Sequence, residues 1–198
     1  MSRSANILLV MIVLLPALVV GCLIAILVLV AVGRPILFTQ ERSGRNGRTF
    51  RIIKFRTMTD ARDRHGALLP DSRRTPRLGK LLRRTRVDEL PELLNILRGE
   101  MAWVGPRPLL PATVESFGDA GLRRGSVAPG LTGWAQVNGN TLLTPQEKLQ
   151  LDLWYVQRRS AGLDLRILLG TLLVVLFGER RNPRSLEKAV AGHPDRRG

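Results

Sequence analysis

The chain has 198 residues, enough for one modest domain plus a membrane anchor, and carries a net charge of +15 from 31 Lys and Arg against 16 Asp and Glu. Its single cysteine, Cys22, excludes an intrachain disulfide and a cysteine zinc site. The two histidines, His65 and His193, lie far apart in polar stretches, which argues against a serine–histidine triad or a histidine metal cluster.

From Ile7 to Val32 the chain runs 26 residues without a charge. As a helix that is about 39 Å long, against roughly 30 Å of hydrocarbon. Three readings are open. The first is a spanning helix. The second is a re-entrant anchor bent at Pro16, because an internal proline removes a backbone hydrogen bond and clashes with the preceding turn. The third is a lipoprotein signal ending at Cys22, which the ten further apolar residues disfavour. Basic residues after Val32 place the rest of the chain in the cytoplasm by the positive-inside rule.

Ile36–Gln40 and Thr49–Phe55 are rich in β-branched and aromatic residues and flank a turn-rich Ser43–Gly47, which predicts a β-hairpin. Residues 59–76 read as a polar loop. Leu78–Arg84 reads as a short basic helix, and Asp88–Leu97 as a better one stopped by Gly99. Val114–Leu122 is weakly helical and Pro129–Gly139 a structured loop. Gln146–Gln157 and Leu163–Phe177 are further helices, with Trp154 and Tyr155 as candidate membrane-interface aromatics. The polar, basic tail from Glu179 reads as disordered.

Between Arg34 and Arg98 there are 17 basic and 7 acidic residues, so this stretch calls for an anionic partner: nucleic acid, lipid headgroups or a polyphosphate substrate. Asp88 and Glu89 are the sharpest chemical candidates. Pro91 suits a first helical turn, so both carboxylates sit near a helix N-terminus, where they either cap the helix or act beside a bound phosphate. The field of Arg83, Arg84 and Arg86 would keep Asp88 ionised, and an ionised aspartate can attack phosphorus. Lys54 and Arg56 fall on one side of a strand with Phe55 on the other. Arg107, between two prolines, is a pre-set guanidinium suited to bidentate phosphate binding.

In this order the motifs Gly33-Arg34-Pro35-Ile36-Leu37-Phe38-Thr39-Gln40, Lys54-Phe55-Arg56-Thr57-Met58, Asp88-Glu89-Leu90-Pro91-Glu92-Leu93 with Asn95, Val104-Gly105-Pro106-Arg107-Pro108-Leu109, Pro129–Gly139 and Leu163-Asp164-Leu165 resemble one family: the bacterial sugar transferases, small monotopic phosphoglycosyl transferases. The resemblance covers about Arg34 to Thr171. It implies an α+β, mainly α fold with a re-entrant, Pro16-broken membrane helix, a small β-hairpin, and short amphipathic helices at the membrane interface. The implied division is an anchor over 1–33, a cytosolic catalytic domain over 34–178, and a basic tail over 179–198.

The implied reaction has two steps. Asp88 attacks the β-phosphate of a UDP-sugar and releases UMP, and a polyprenol phosphate such as undecaprenyl phosphate then takes the phospho-sugar. Glu89 assists as a base. Magnesium sits beside Asp88, and Lys54, Arg56, Arg107 and Asn138 bind substrate. The implied place is the cytoplasmic face of a bacterial inner membrane, in polysaccharide or glycoprotein glycan assembly, with other assembly enzymes or a second copy as partners. Leu15 stands where the family has a serine before the break, and Asn140-Thr141 where it often has Arg-Asn. Rival readings are a membrane-tethered nucleic-acid-binding module, for which no nucleic-acid motif is present, and a silent scaffold of the same fold.

Overall fold

A computed structural model describes residues 1–191 and has ten helices and four short strands among them. It agrees with a mainly helical α+β reading. Helix α1 (Arg3–Ala31) is long and apolar enough to cross a membrane. It begins at an N-cap, where Ser2 Oγ accepts from the Ala5 N–H.

The chain stays helical through the expected break at Pro16. Proline forfeits only the bond that the carbonyl four residues earlier would accept, and the turns on either side keep theirs. Leu15, which replaces the family's serine, is 73% exposed and turned away from the body.

Both ends of α1 are docked on the rest of the chain. Near its start Arg3 donates to the carbonyls of Ile96 (3.0 Å) and Leu97 (2.6 Å), and Asn6 Oδ1 accepts from the Trp103 N–H at 2.9 Å. Val10 is buried with Phe50, Ile52, Leu93, Ile96 and Met101. Near its end Ile24 and Val28 are buried with Phe55 and Leu82. Each of these three apolar side chains contributes about 1.5–3 kcal/mol by leaving water. The opposite face, including Leu8, Ile12, Leu23 and Val30, is exposed.

Strands β1 (Leu37–Ser43) and β2 (Thr49–Phe55) form the predicted antiparallel hairpin, with Phe38 opposite Lys54 and Arg42 opposite Phe50. The loop after it carries the short α2 (Asp71–Arg74), and then α3 (Arg77–Thr85) follows. α3 lies so close to the chain after β2 that a Cβ on Gly79 would fall 2.1 Å from the Thr57 carbonyl oxygen. A 3₁₀ turn over Val87–Glu89 leads into α4 (Glu92–Arg98), which ends on Gly99 in the left-handed region. Asn95, fully buried, ties α4 to β2. Its Oδ1 accepts from the Ile53 N–H at 3.2 Å, and its Nδ2 donates to the Arg51 carbonyl at 2.8 Å.

Beyond α4, β3 (Ala102–Val104) pairs in parallel with β4 (Gly130–Thr132). Between them are α5 (Pro111–Glu115) and α6 (Asp119–Arg124), where one weak helix was expected. The structured loop at 129–139 contains β4 and α7 (Trp134–Val137). Helix α8 (Pro145–Arg158) opens with a capping box between Thr144 and Glu147. α9 (Ala161–Phe177) follows, with Leu165, Leu169, Leu172 and Leu176 exposed.

Two expectations fail here. Trp154 and Tyr155 are not interface aromatics. Trp154 stacks on Trp134 at 5.2 Å, and Tyr155 is buried with its hydroxyl donating to Asp164 at 2.7 Å. The tail is not disordered through its described part: α10 (Pro183–Ala191) packs on α8, with Leu186 and Ala189 in the same core as Trp134. Its spacing of apolar residues is helical, and the charged composition hid it. Residues 192–198 of that tail lie outside the described residues.

Candidate active site

The local folding above delivers four chain segments to one place. β2 presents Lys54 to the cavity and the residue just after the strand presents Arg56, while Phe55 between them packs on Ile24 and Val28 and borders the cavity as well. The 3₁₀ turn presents Asp88 and Glu89. The Pro106–Pro108 segment presents Arg107, and the end of α9 with the following residues presents Val174, Val175 and Glu179. Together they line a cavity of about 890 Å³, in the range of small-molecule sites.

At its floor is a network of charges. Glu89 Oε1 accepts from Lys54 Nζ at 2.8 Å and from Arg107 Nη2 at 2.6 Å. Lys54 Nζ is also 3.0 Å from Glu92 Oε1. Arg107 and Lys54 together hold the Glu89 carboxyl down at about 2, against the pull of its burial. Glu92 goes the other way. Burial first, and then the charge of Glu89, push it up to about 7.

That opposition sets a pH dependence. An acid whose pKa is raised on folding stabilises the fold below its unfolded value, about 4.3, and the gain is lost as pH rises through about 7. Glu92→Gln is therefore expected to flatten the fall in unfolding temperature between pH 5 and pH 8. Equal declines in the two proteins would contradict this.

Asp88 is buried, lines the cavity, and has no ion-pair partner among the described residues. Its carboxyl is raised by burial and by Glu89, with Lys54 and Arg107 pulling less strongly the other way. The cations that act on it are Lys54 and Arg107, not the sequence-adjacent Arg83, Arg84 and Arg86 that the sequence suggested. Arg83 donates instead to Thr57 Oγ1 at 2.8 Å, Arg84 is exposed, and Arg86 lies 3.9 Å from Glu89 and 3.5 Å from Glu179.

Arg56 donates to the Arg34 carbonyl at 2.7 Å and pairs with Asp60 at the cavity wall. Asn138 is not brought to the site. It is buried away from the cavity, donating to the Trp134 carbonyl at 2.8 Å while its own carbonyl accepts from the Asn182 N–H at 3.1 Å. A short amide in a glycine-rich run is as well suited to bracing a turn as to touching a ligand, and here it braces α7 and the approach to α10. Its neighbours Asn140 and Thr141 reach the cavity instead, where both donate to Glu179.

Two residues outside the motifs support the site. Arg124, buried on α6, donates through Nε to Asp152 at 2.8 Å and through Nη2 to the Arg107 carbonyl at 2.6 Å. A buried arginine with a carboxylate partner leaves no local sequence signal, because Asp152 is about two turns into another helix.

No group of three or more metal-ligating side chains occurs among the described residues. The donor set that does fit a divalent ion is Asp88 alone, whose carboxylate is free of cations while Glu89 and Glu92 are engaged. Magnesium commonly binds through one or two carboxylates with substrate phosphates completing its shell.

The chain matches the profile of the family described as bacterial sugar transferase over residues 1–178. It is 47% identical over 148 residues to the uncharacterized sugar transferase EpsL of Bacillus subtilis (strain 168), covering 75% of this chain and 73% of that protein. It is 41% identical over 158 residues to the undecaprenyl-phosphate glucose phosphotransferase of Komagataeibacter xylinus, covering 72% of this chain and 30% of the relative. To the UDP-glucose:undecaprenyl-phosphate glucose-1-phosphate transferase of Xanthomonas campestris pv. campestris it is 40% identical over 154 residues, covering 72% and 32%. The chain thus spans most of the first relative and about a third of the other two.

Proposed function

The chain belongs to the bacterial sugar transferase family of phosphoglycosyl transferases, and on that premise we propose that it moves a sugar-1-phosphate from a UDP-sugar to a polyprenol phosphate such as undecaprenyl phosphate. The observation that carries this reading is Asp88: a carboxylate without a cation partner at the wall of a cation-lined cavity. The named activities of the Komagataeibacter and Xanthomonas relatives support the substrate classes.

In the first step an Asp88 Oδ attacks the β-phosphorus, and the bond from that phosphorus to the bridging oxygen of the α-phosphate breaks. UMP departs with the electron pair. In the second step an oxygen of the polyprenol phosphate attacks the same phosphorus and the Asp88 carboxylate leaves, giving a polyprenyl diphosphate sugar. Neither step needs a proton from Asp88, provided it is ionised when the donor binds. Arg107 and Lys54 orient Glu89 and supply positive charge to the phosphates. Glu89, held ionised by Arg107 and Lys54, anchors these two cations beside Asp88. Asp88 is the residue that would hold magnesium together with the substrate phosphates, and the ion would offset the repulsion between carboxylate and diphosphate.

We place the body at the cytoplasmic face of the inner membrane, with the exposed face of α1 in lipid. A spanning helix about 43 Å long would carry its first residues to the far side of the bilayer. Arg3, Asn6 and Val10 instead contact the same body as Ile24 and Val28, which supports a non-spanning anchor. In a Cys22→Ser background, Ser4→Cys is expected to resist a membrane-impermeant maleimide in intact cells and to react once the cytoplasmic side is opened. Labelling of intact cells would establish a spanning helix.

A further inference from the structure

Strand alternation puts Phe38, Gln40 and Arg42 of β1 on the cavity side of the hairpin. Arg42 differs from the other half-buried cations there. Lys54, Arg56, Arg74, Arg86 and Arg107 each have a carboxylate within 4 Å. Arg83 and Arg84 have none but are exposed to water. Arg42 is half-buried and has no carboxylate partner. Its Nη2 donates to the neutral Gln40 Oε1 at 2.5 Å, and its Nε is sealed from solvent with no acceptor at all.

A guanidinium taken partly out of water without a counter-charge costs stability, and a sealed N–H without an acceptor adds to that cost. Arg107 stands close enough for its charge, added to burial, to press the Arg42 pKa down. Among the described residues only the more distant charge of Glu92 acts the other way, and no carboxylate lies within ion-pair distance of Arg42. Arg107 cannot share its own carboxylate, because Glu89 already serves Lys54 as well.

We propose that Arg42 is a substrate-binding residue: with Arg107 it forms an anion subsite for a phosphate group, and Gln40 holds its guanidinium fork toward the cavity. A phosphate fits because guanidinium forks from two sides can share its oxygens, and because its negative charge offsets the unpaired cation. The subsite belongs to the cavity of the proposed transferase and rests on that reading. Two sources share the chemistry, the nucleotide side of the donor and the phosphomonoester of the acceptor.

The test uses the full chain in detergent at constant ionic strength. Unfolding temperature and affinity are measured with two probes, UMP and a short-chain isoprenyl monophosphate. Arg42→Met is expected to weaken at least one probe by about tenfold or more, the loss typical of a charged hydrogen bond. Its unliganded unfolding temperature should not drop, since the removed charge had no partner. Arg42→Lys should recover part of the affinity but not the fork's share.

Loss for UMP alone assigns the donor side, and loss for the isoprenyl phosphate alone assigns the acceptor side. Unchanged affinity for both probes overturns the subsite, as does a destabilised protein that binds both normally. If Arg42→Met does not fold, Gln40→Leu, which frees the fork, is read by the same criteria. If neither probe binds the wild-type protein, the proposed function itself is rejected rather than this subsite alone.

Discussion

Asp88→Asn is expected to cut UMP release from UDP-sugar to about one thousandth of the wild-type rate or less, because an amide cannot form the acyl phosphate. The protein should stay folded and membrane-bound. Asp88 has no ion pair to lose, and the charge cluster of Lys54, Glu89 and Arg107 does not pass through it. Burial already penalises its charged form, so a neutral isostere costs the fold little and relieves Glu89 of a like charge. The loss can therefore be assigned to chemistry. The direct measurement is trapping with a donor labelled in the sugar and the β-phosphate. Wild-type protein should carry label on Asp88, and Asp88→Asn none. Full turnover by the variant would remove Asp88 as the nucleophile.

Arg107→Ala is expected to lower turnover by about 10²–10³-fold, the usual cost of removing one pre-set donor from a site of charge development. The mechanism has its own signature. Arg107 is the largest of the influences that lower the Glu89 pKa, so its loss lets burial raise that carboxyl from about 2 toward the ordinary range, with Lys54 still opposing. If the ionised Glu89 is what holds Lys54 in place, activity in the variant falls off on the acid side at a pH where the wild type is unaffected. A pH–rate profile over pH 5–8 reads this directly. Arg107→Lys keeps charge near Glu89 and should shift the acid limb less, while still losing the fork. A uniform drop in rate with no change of profile would mean that Arg107 acts on substrate alone.

How much of this was legible before the structure depended on whether the signal was local. The hairpin was, because Ile36–Gln40 and Thr49–Phe55 are rich in β-branched and aromatic residues and flank a turn-rich stretch, and the observed strands, Leu37–Ser43 and Thr49–Phe55, match it apart from the extent of the first. So was the end of α4 at Gly99. The site residues Lys54, Arg56, Asp88, Glu89 and Arg107 were legible as motifs, and folding brings all five to one cavity. What was not legible required knowing which charge sits opposite which. The raised pKa of Asp88 comes from burial and from Glu89, whereas of the arginines adjacent in sequence, which line the same cavity, Arg83 is engaged with Thr57 and Arg86 with Glu179. Asn138 and Tyr155 carry polar atoms that looked available but are spent on the Trp134 carbonyl and on Asp164. Pro16 was read as a break from its chemistry and from the family resemblance, and the residues on either side of it are helical.

The docking of α1 at both ends changes what fixes the enzyme's depth in a bilayer. A lone anchor settles where its apolar length matches the hydrocarbon, and so it responds to lipid chain length. Here the helix is clamped to a rigid body through Arg3 and Asn6 at one end and Ile24 and Val28 at the other. On the proposed non-spanning placement its immersion is set by that body, as a keel is set by its hull, and exchanging one exposed leucine for another aliphatic residue leaves the waterline where it was.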